Sequence, residues 1–131
     1  DNIITCIQKG LSVFQGDIEE GLREFSDNSF DVVILSQTLQ QIANPLSVIK
    51  ELCRVGKMAI VTFPNFAYWQ NRFQLFRGLI PKSKQLPYEW YDTPNIRVVS
   101  IKSFKRVCKK ENIHILKIYF YEYTKIKKAK N

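Results

Sequence analysis

The sequence predicts an α/β fold built on a mostly parallel sheet. Three observations carry this expectation. Two nearly continuous apolar, β-branched runs occur, Phe-Asp-Val-Val-Ile-Leu at 30–35 and Lys-Met-Ala-Ile-Val-Thr-Phe at 57–63. Such runs suit strands covered on both faces, as in a parallel sheet. Between them lies a helix-period apolar stripe that opens on Asn44-Pro45. Finally, strand-type and helix-type patterns alternate along all 131 residues with no internal repeat or low-complexity linker.

Each element has its own signal. Ile3 to Gln8 reads as the end of a helix stopped by Lys9-Gly10. Residues 11–15 read as a short strand closed by Gly16-Asp17, and Gly21-Leu22 with Phe25 as a turn or short helical piece. Asp27-Asn28-Ser29 is turn chemistry before the 30–35 strand. Asn44 as cap and Pro45 at the first helical position start a helix whose Leu46, Ile49, Leu52 and Cys53 form one stripe, and Gly56 closes it. The 57–63 strand ends at Pro64-Asn65. Residues 69–79 are amphipathic at helical spacing through Trp69, Phe73, Phe76 and Leu79. Val98-Val99 are expected to be extended. Ser100 or Ser103 caps a helix carrying Phe104, Val107 and Cys108, and Glu111-Asn112 ends it before a last strand at 113–123.

Composition narrows the class. The apolar fraction of 45% and charged fraction of 24% are ordinary for a globular domain. No apolar run approaches the roughly 18 residues of a membrane span, and Asp1-Asn2-Ile3-Ile4 shows no signal peptide, so a cytoplasmic location is expected. Cys6, Cys53 and Cys108 are far apart, no C-x-x-C occurs, and His114 is the one histidine. Buried reduced thiols and no metal are therefore expected. The net charge is +8. Much of it lies in Lys117, Lys125, Lys127, Lys128 and Lys130, against Glu122 alone, which reads as a solvated end. A second basic group, Arg72, Arg77, Lys82 and Lys84, lies beside Trp69, Phe73 and Phe76 and suits an anion or an acidic partner surface. The first part runs acidic, with Asp17, Glu19, Glu20, Glu24, Asp27 and Asp31.

Candidate site residues fall in two groups. Ser36, Gln37 and Thr38 follow a parallel strand, and open α/β sheets bind ligands at those carboxyl ends. Their competing role is strand-to-helix capping. Asn65 ends the next strand. The second group centres on 86–97, where Pro87, Tyr88, Trp90, Tyr91, Asp92, Thr93, Pro94 and Asn95 crowd together. Two prolines bar a continuous helix or central strand there. With Trp69 and Arg72, the residues Tyr88, Trp90, Tyr91 and Asp92 form either a lid on the sheet or a protein-docking face, because Trp, Tyr and Arg are the usual anchors. No general base is evident, and His114 in the last strand gives no Ser-His-Asp set.

Several strings carry a family resemblance: 16–22 (Gly-Asp-Ile-Glu-Glu-Gly-Leu), Phe30-Asp31 through Leu39-Gln40, Val55-Gly56, 60–66 (Ile-Val-Thr-Phe-Pro-Asn-Phe) and 86–96. They resemble the class I S-adenosylmethionine methyltransferase fold, a Rossmann-like type, and more narrowly the MetW family of methionine biosynthesis. The resemblance implies S-adenosylmethionine as cofactor, with Asp17 facing the adenine amino group and Ile18, Ser36, Gln37 and Thr38 beside it. Asp17 can equally cap the turn at 19–22. The family's glycine loop and ribose-binding carboxylate have no counterpart among Gly10, Gly16, Gly21, Gly56 and Gly78. Tight cofactor binding by this chain alone is therefore not expected.

The resemblance further implies a partial methyltransferase-like domain at 1–123, truncated at both ends, and a lysine-rich tail at 124–131. Strands one, two and seven of the 3-2-1-4-5-7-6 order would be missing. The 30–35 strand would then pair with 11–15, be completed by another chain through self-association, or belong to a longer polypeptide. Members of the family are associated with homoserine O-acyltransferase, so a protein partner is implied. The alternative is a small-molecule methyltransferase whose cofactor loop lies outside this chain. Nucleic acid is not an expected partner, because the basic tail has no interleaved aromatics after Tyr123.

Overall fold

A computed structural model describes residues 2–122 and 125–128, with side chains described for 3–121. The chain forms two compact units, Asp1–Phe63 and Pro64–Asn131. The class is α/β with a small parallel two-stranded sheet.

In the first unit, α1 (Asn2–Gln8) ends where Gly10 turns left-handed at φ +73° and donates to Ile7 O at 2.9 Å. A 3-10 turn at Ile18–Glu20 precedes β1 (Phe30–Ser36). A second 3-10 turn at Leu39–Gln41 leads to α2 (Pro45–Val55), which runs directly into β2 (Gly56–Thr62). β1 and β2 pair in parallel, from Phe30 opposite Gly56 to Ser36 opposite Thr62. Pro45 stands at the start of α2 as expected, but the Asn44 side chain makes no capping bond. α2 packs against both strands, turning Val48, Ile49, Leu52 and Val55 inward to meet Leu35, Leu39 and Ile42 in the core. Cys53, placed in the inward stripe by its spacing, is exposed, and all three cysteines are free.

Residues 11–15 form no strand, and among the described residues β1 has β2 as its single neighbour. The reason is a chain of rings. Phe14 meets Phe25 edge-on at 5.8 Å and Phe25 meets Phe30 at 5.1 Å, so this segment is held by aromatic side chains instead of a backbone ladder. Nor is β1 covered on both faces. α2 covers the face bearing Val33 and Leu35, while Phe30, Val32 and Ile34, with Met58 and Ile60 beside them in register, remain exposed.

The second unit contains α3 (Trp69–Phe76), α4 (Ile101–Lys110), β3 (Tyr119–Glu122) and β4 (Lys125–Lys128). α4 begins with a reciprocal capping box: Ser103 N–H donates to Ser100 Oγ at 3.1 Å, and Ser100 N–H to Ser103 Oγ at 3.1 Å. The last strand is shorter than the expected 113–123. Lys125–Lys128, read from sequence as part of a solvated tail, instead pair antiparallel with β3, so an antiparallel strand does follow Tyr123. The remainder of the expected tail, with Tyr123 and Thr124 at its boundary, lies outside the described residues.

The direction of the α3 stripe, open from its spacing, is outward. Trp69, Phe73 and Phe76 lie on the exposed side of the helix, and the residue the helix buries is Asn71.

Candidate functional site

In the first unit, parallel pairing brings the carboxyl ends of β1 and β2 together. Gln37, just past β1, adopts a left-handed backbone at φ +53°, a conformation few non-glycine residues take without support. The support comes from Thr62 at the end of β2. Gln37 N–H donates to Thr62 O at 3.1 Å and to its Oγ1 at 3.0 Å, and Gln37 Nε2 reaches Oγ1 at 3.4 Å. Thr38 Oγ1 donates to Ser36 O at 2.8 Å, and Gln40 Nε2 to Gln37 O at 2.7 Å. Gln40 is buried, and its Oε1 has no hydrogen-bond partner among the described residues.

Asp17 Oδ1 accepts Glu19 N–H at 2.8 Å, the turn-capping geometry weighed from sequence, and Ile18 opens the 3-10 turn that Asp17 caps. Glu19 then fastens this turn to the segment before α2: its two carboxylate oxygens accept Ala43 N–H at 2.7 Å and Asn44 N–H at 3.2 Å.

Sequence reasoning passed over the strongest polar cluster of this unit. Arg54 forks onto Glu51 through Nε and Nη2, both at 2.9 Å, and Nη1 reaches Asp27 at 2.8 Å. The same guanidinium donates to Phe25 O and Leu22 O at 2.9 Å each, while Leu22 N–H donates to Glu51 Oε2 at 3.1 Å. The guanidinium of Arg54 holds the Glu51 carboxyl below its ordinary range. In return the Glu51 carboxylate, and then that of Asp27, raise the pKa of Arg54. The Glu-x-x-Arg spacing was a readable hint; the carbonyls that Arg54 gathers were not. The cluster ties the 22–27 loop to α2 and therefore serves the fold.

The second unit presents an aromatic surface. Trp90 and Tyr91 are 70% and 72% exposed and pack edge-to-face at 5.6 Å. Around α3, Tyr68 just before it and Trp69 at its start lie 6.0 Å apart, and the guanidinium of Arg77 just after it stands 5.8 Å from the ring centre of Phe73. Phe76 is 89% exposed. Side chains connect the two segments. The amide of Gln74 brackets Lys82, accepting its N–H at 3.0 Å and donating to its carbonyl at 3.1 Å. The Lys82 ammonium pairs with the Glu89 carboxylate, which raises its pKa. Glu89 O accepts Asp92 N–H at 3.2 Å, closing a turn around Trp90 and Tyr91. Ser83 and Leu86 exchange backbone bonds at 3.0 Å, and buried Leu86 anchors the start of the aromatic segment. Asn65 Oδ1 accepts Ala67 N–H at 3.2 Å ahead of α3. Tyr88, Asp92 and Arg72 are exposed in the same unit.

The S-adenosylmethionine implied by the resemblance can be tested against these donors. At the strand ends, the Gln37 amide, the Thr38 hydroxyl and Asp17 Oδ1 are engaged with neighbouring protein groups. The five glycines are scattered, so the chain's own residues do not form the backbone cradle the cofactor needs. Within this chain these groups bond to the protein itself, and the family's glycine loop has no counterpart in its sequence. No group of three metal-ligating side chains is found among the described residues, and no described helix is long and apolar enough to cross a membrane.

Over residues 1–130 the chain matches the family described as "Methionine biosynthesis protein MetW". It is similar to the "Bifunctional methionine biosynthesis protein MetXA/MetW" of Rhodopirellula baltica (strain DSM 10527 / NCIMB 13988 / SH1), with 35% identity over 124 residues. That match covers 93% of this chain and 20% of the relative, so the chain spans about one fifth of the curated protein it matches.

Proposed function

This chain belongs to the MetW family of methionine biosynthesis proteins, and from that premise we propose that it acts by docking onto homoserine O-acyltransferase in the cytoplasm. The observation that carries the proposal is the exposed Trp90–Tyr91 pair, braced through Glu89, Lys82 and Gln74 to the outward aromatic stripe of α3. Large rigid aromatics held in place and left in water are costly unless something covers them. They supply contact area with few side-chain torsions to freeze, which is why they dominate interface energetics. The relative's name joins MetXA and MetW in one bifunctional protein, which supports a working association between the two functions. The parallel β1–α2–β2 unit supports the class I methyltransferase type as the parent fold.

The test is association with the acyltransferase measured by calorimetry. Trp90→Ala and Tyr91→Ala should each weaken it by about 2 kcal/mol, roughly thirtyfold, with circular dichroism unchanged. Unchanged affinity in both folded variants would return these residues to a lid.

A second reading has one observation in its favour: the strained Gln37 backbone lies beside the unpaired, buried Gln40 Oε1 at the strand ends. It is methyl transfer from S-adenosylmethionine with the cofactor loop supplied from outside this chain. For the chain alone, calorimetry should find S-adenosylmethionine binding no tighter than about 1 mM. Micromolar affinity would reverse the order of the two readings.

A further inference from the structure

α4 carries a cationic stripe whose members form no ion pair among the described residues. Lys102, Lys105, Arg106, Lys109 and Lys110 recur at i, i+3, i+4, i+7 and i+8, the spacing of one helix face. All five are exposed. None takes part in an ion pair of the described residues. Like charges three and four residues apart destabilise a helix. The helix dipole relieves this at the C-terminal end for Lys109 and Lys110. It makes matters worse at the other end, where Lys102, Lys105 and Arg106 occupy the first two turns and no acidic residue stands in the first turn. The residues of the second unit count fifteen Lys and Arg against four Asp and Glu, whereas those of the first count five against eight. Uncompensated repulsion on a well-capped helix marks a surface kept for something other than the stability of the chain.

We propose that this stripe is a docking surface for an acidic face of a protein partner. Single-stranded nucleic acid is disfavoured because the stripe carries no aromatic side chain on which a base could stack. A membrane surface is disfavoured because the apolar side of α4 turns into the fold through Ile101, Phe104 and buried Cys108, leaving no broad apolar face to insert. A rim of cations steers an acidic protein and fixes its orientation, while aromatic anchors elsewhere in the same unit hold it.

The inference rests on the proposed function, so the acyltransferase is the probe. Association is followed by stopped-flow at low salt for the wild-type chain, for the double variant Lys105→Glu with Lys109→Glu, and for Trp90→Ala. The charge-reversal variant should associate about tenfold more slowly, dissociate at nearly the wild-type rate and lose much of the salt dependence. It should stay folded and melt close to wild type, because the attraction gained at 102–105 and 106–109 offsets the carboxylate placed at the C-terminal end of the helix. Trp90→Ala should instead speed dissociation. Unchanged association of the charge-reversal variant, with wild-type binding intact, overturns the α4 assignment and leaves the proposed function standing. Absence of wild-type binding overturns both. Tighter binding of single-stranded RNA or phosphatidylserine vesicles than of the enzyme at about 0.15 M salt, lost in the same variant, overturns the choice of a protein.

Discussion

Gly56 shows how little room a single residue can have where a helix becomes a strand. A Cβ there would lie 2.6 Å from Val33 Cγ2, 3.1 Å from Leu52 O and 3.2 Å from Met58 O. Its φ of −110° is ordinary, so Gly56→Ala tests close approach alone. It should destabilise the chain by about 1–3 kcal/mol in urea titration. Glu51 gives the pH dependence at this scale. Its folded pKa is depressed by Arg54, so the stability it contributes is complete above the unfolded value of about 4.3 and is lost as pH falls through the lower, folded value. Thermal melts should therefore show an acid-side loss of stability that Glu51→Gln diminishes. An identical pH profile in that variant would deny the carboxylate this role. The Glu51–Arg54 spacing could be seen in the sequence. That Arg54 also gathers Leu22 O and Phe25 O could not, because those carbonyls reach it only through folding.

At the scale of elements, local signals were reliable where the physics is local. The start of α2 at Pro45 and the cap of α4 at Ser100 follow from chain chemistry within a few residues. Ser100→Ala should cost about 1 kcal/mol by removing the bond from Ser103 N–H, and the loss should appear as reduced helicity and a lower melting point. The direction of a stripe is less legible. The spacing of Trp69, Phe73 and Phe76 correctly predicted a helix but not which way it faces, because a period is the same whether the stripe meets a core or a partner. Phe76→Ser discriminates. On an exposed face it should change stability by no more than about 0.5 kcal/mol, whereas a lid packed on the core would lose about 3 kcal/mol or more.

For the whole molecule, the bare sheet face is the most consequential feature. Phe30, Val32, Ile34, Met58 and Ile60 form an apolar surface on one side of the β1–β2 pair, and Ile34 is 64% exposed. Parallel sheets are normally covered on both faces, and contiguous apolar surface favours association. The isolated chain should therefore bind a hydrophobic dye or self-associate on size-exclusion chromatography while keeping native circular dichroism. Ile34→Thr should lessen either behaviour at a stability cost below about 1 kcal/mol. A folded, strictly monomeric chain that binds no dye would show that this face is covered in solution.

The sequence by itself determined the α/β class, the order of most elements and the family, and narrowed the α4 cap to Ser100 or Ser103, since periodicity, turn chemistry and motif strings are properties of neighbouring residues. It also placed Ser36, Gln37 and Thr38 at a strand end, because parallel strands bring their carboxyl ends to one side. Only the tertiary structure decided that residues 11–15 are held by the Phe14–Phe25–Phe30 rings, that Lys125–Lys128 pair with β3, and that the aromatic stripe of α3 faces outward. The first and third of these outcomes depend on which other segment wins a surface, whereas β3 and β4 are neighbours in sequence and pair locally. An apolar run states that it can be buried; the rest of the chain decides whether, and against what, it is.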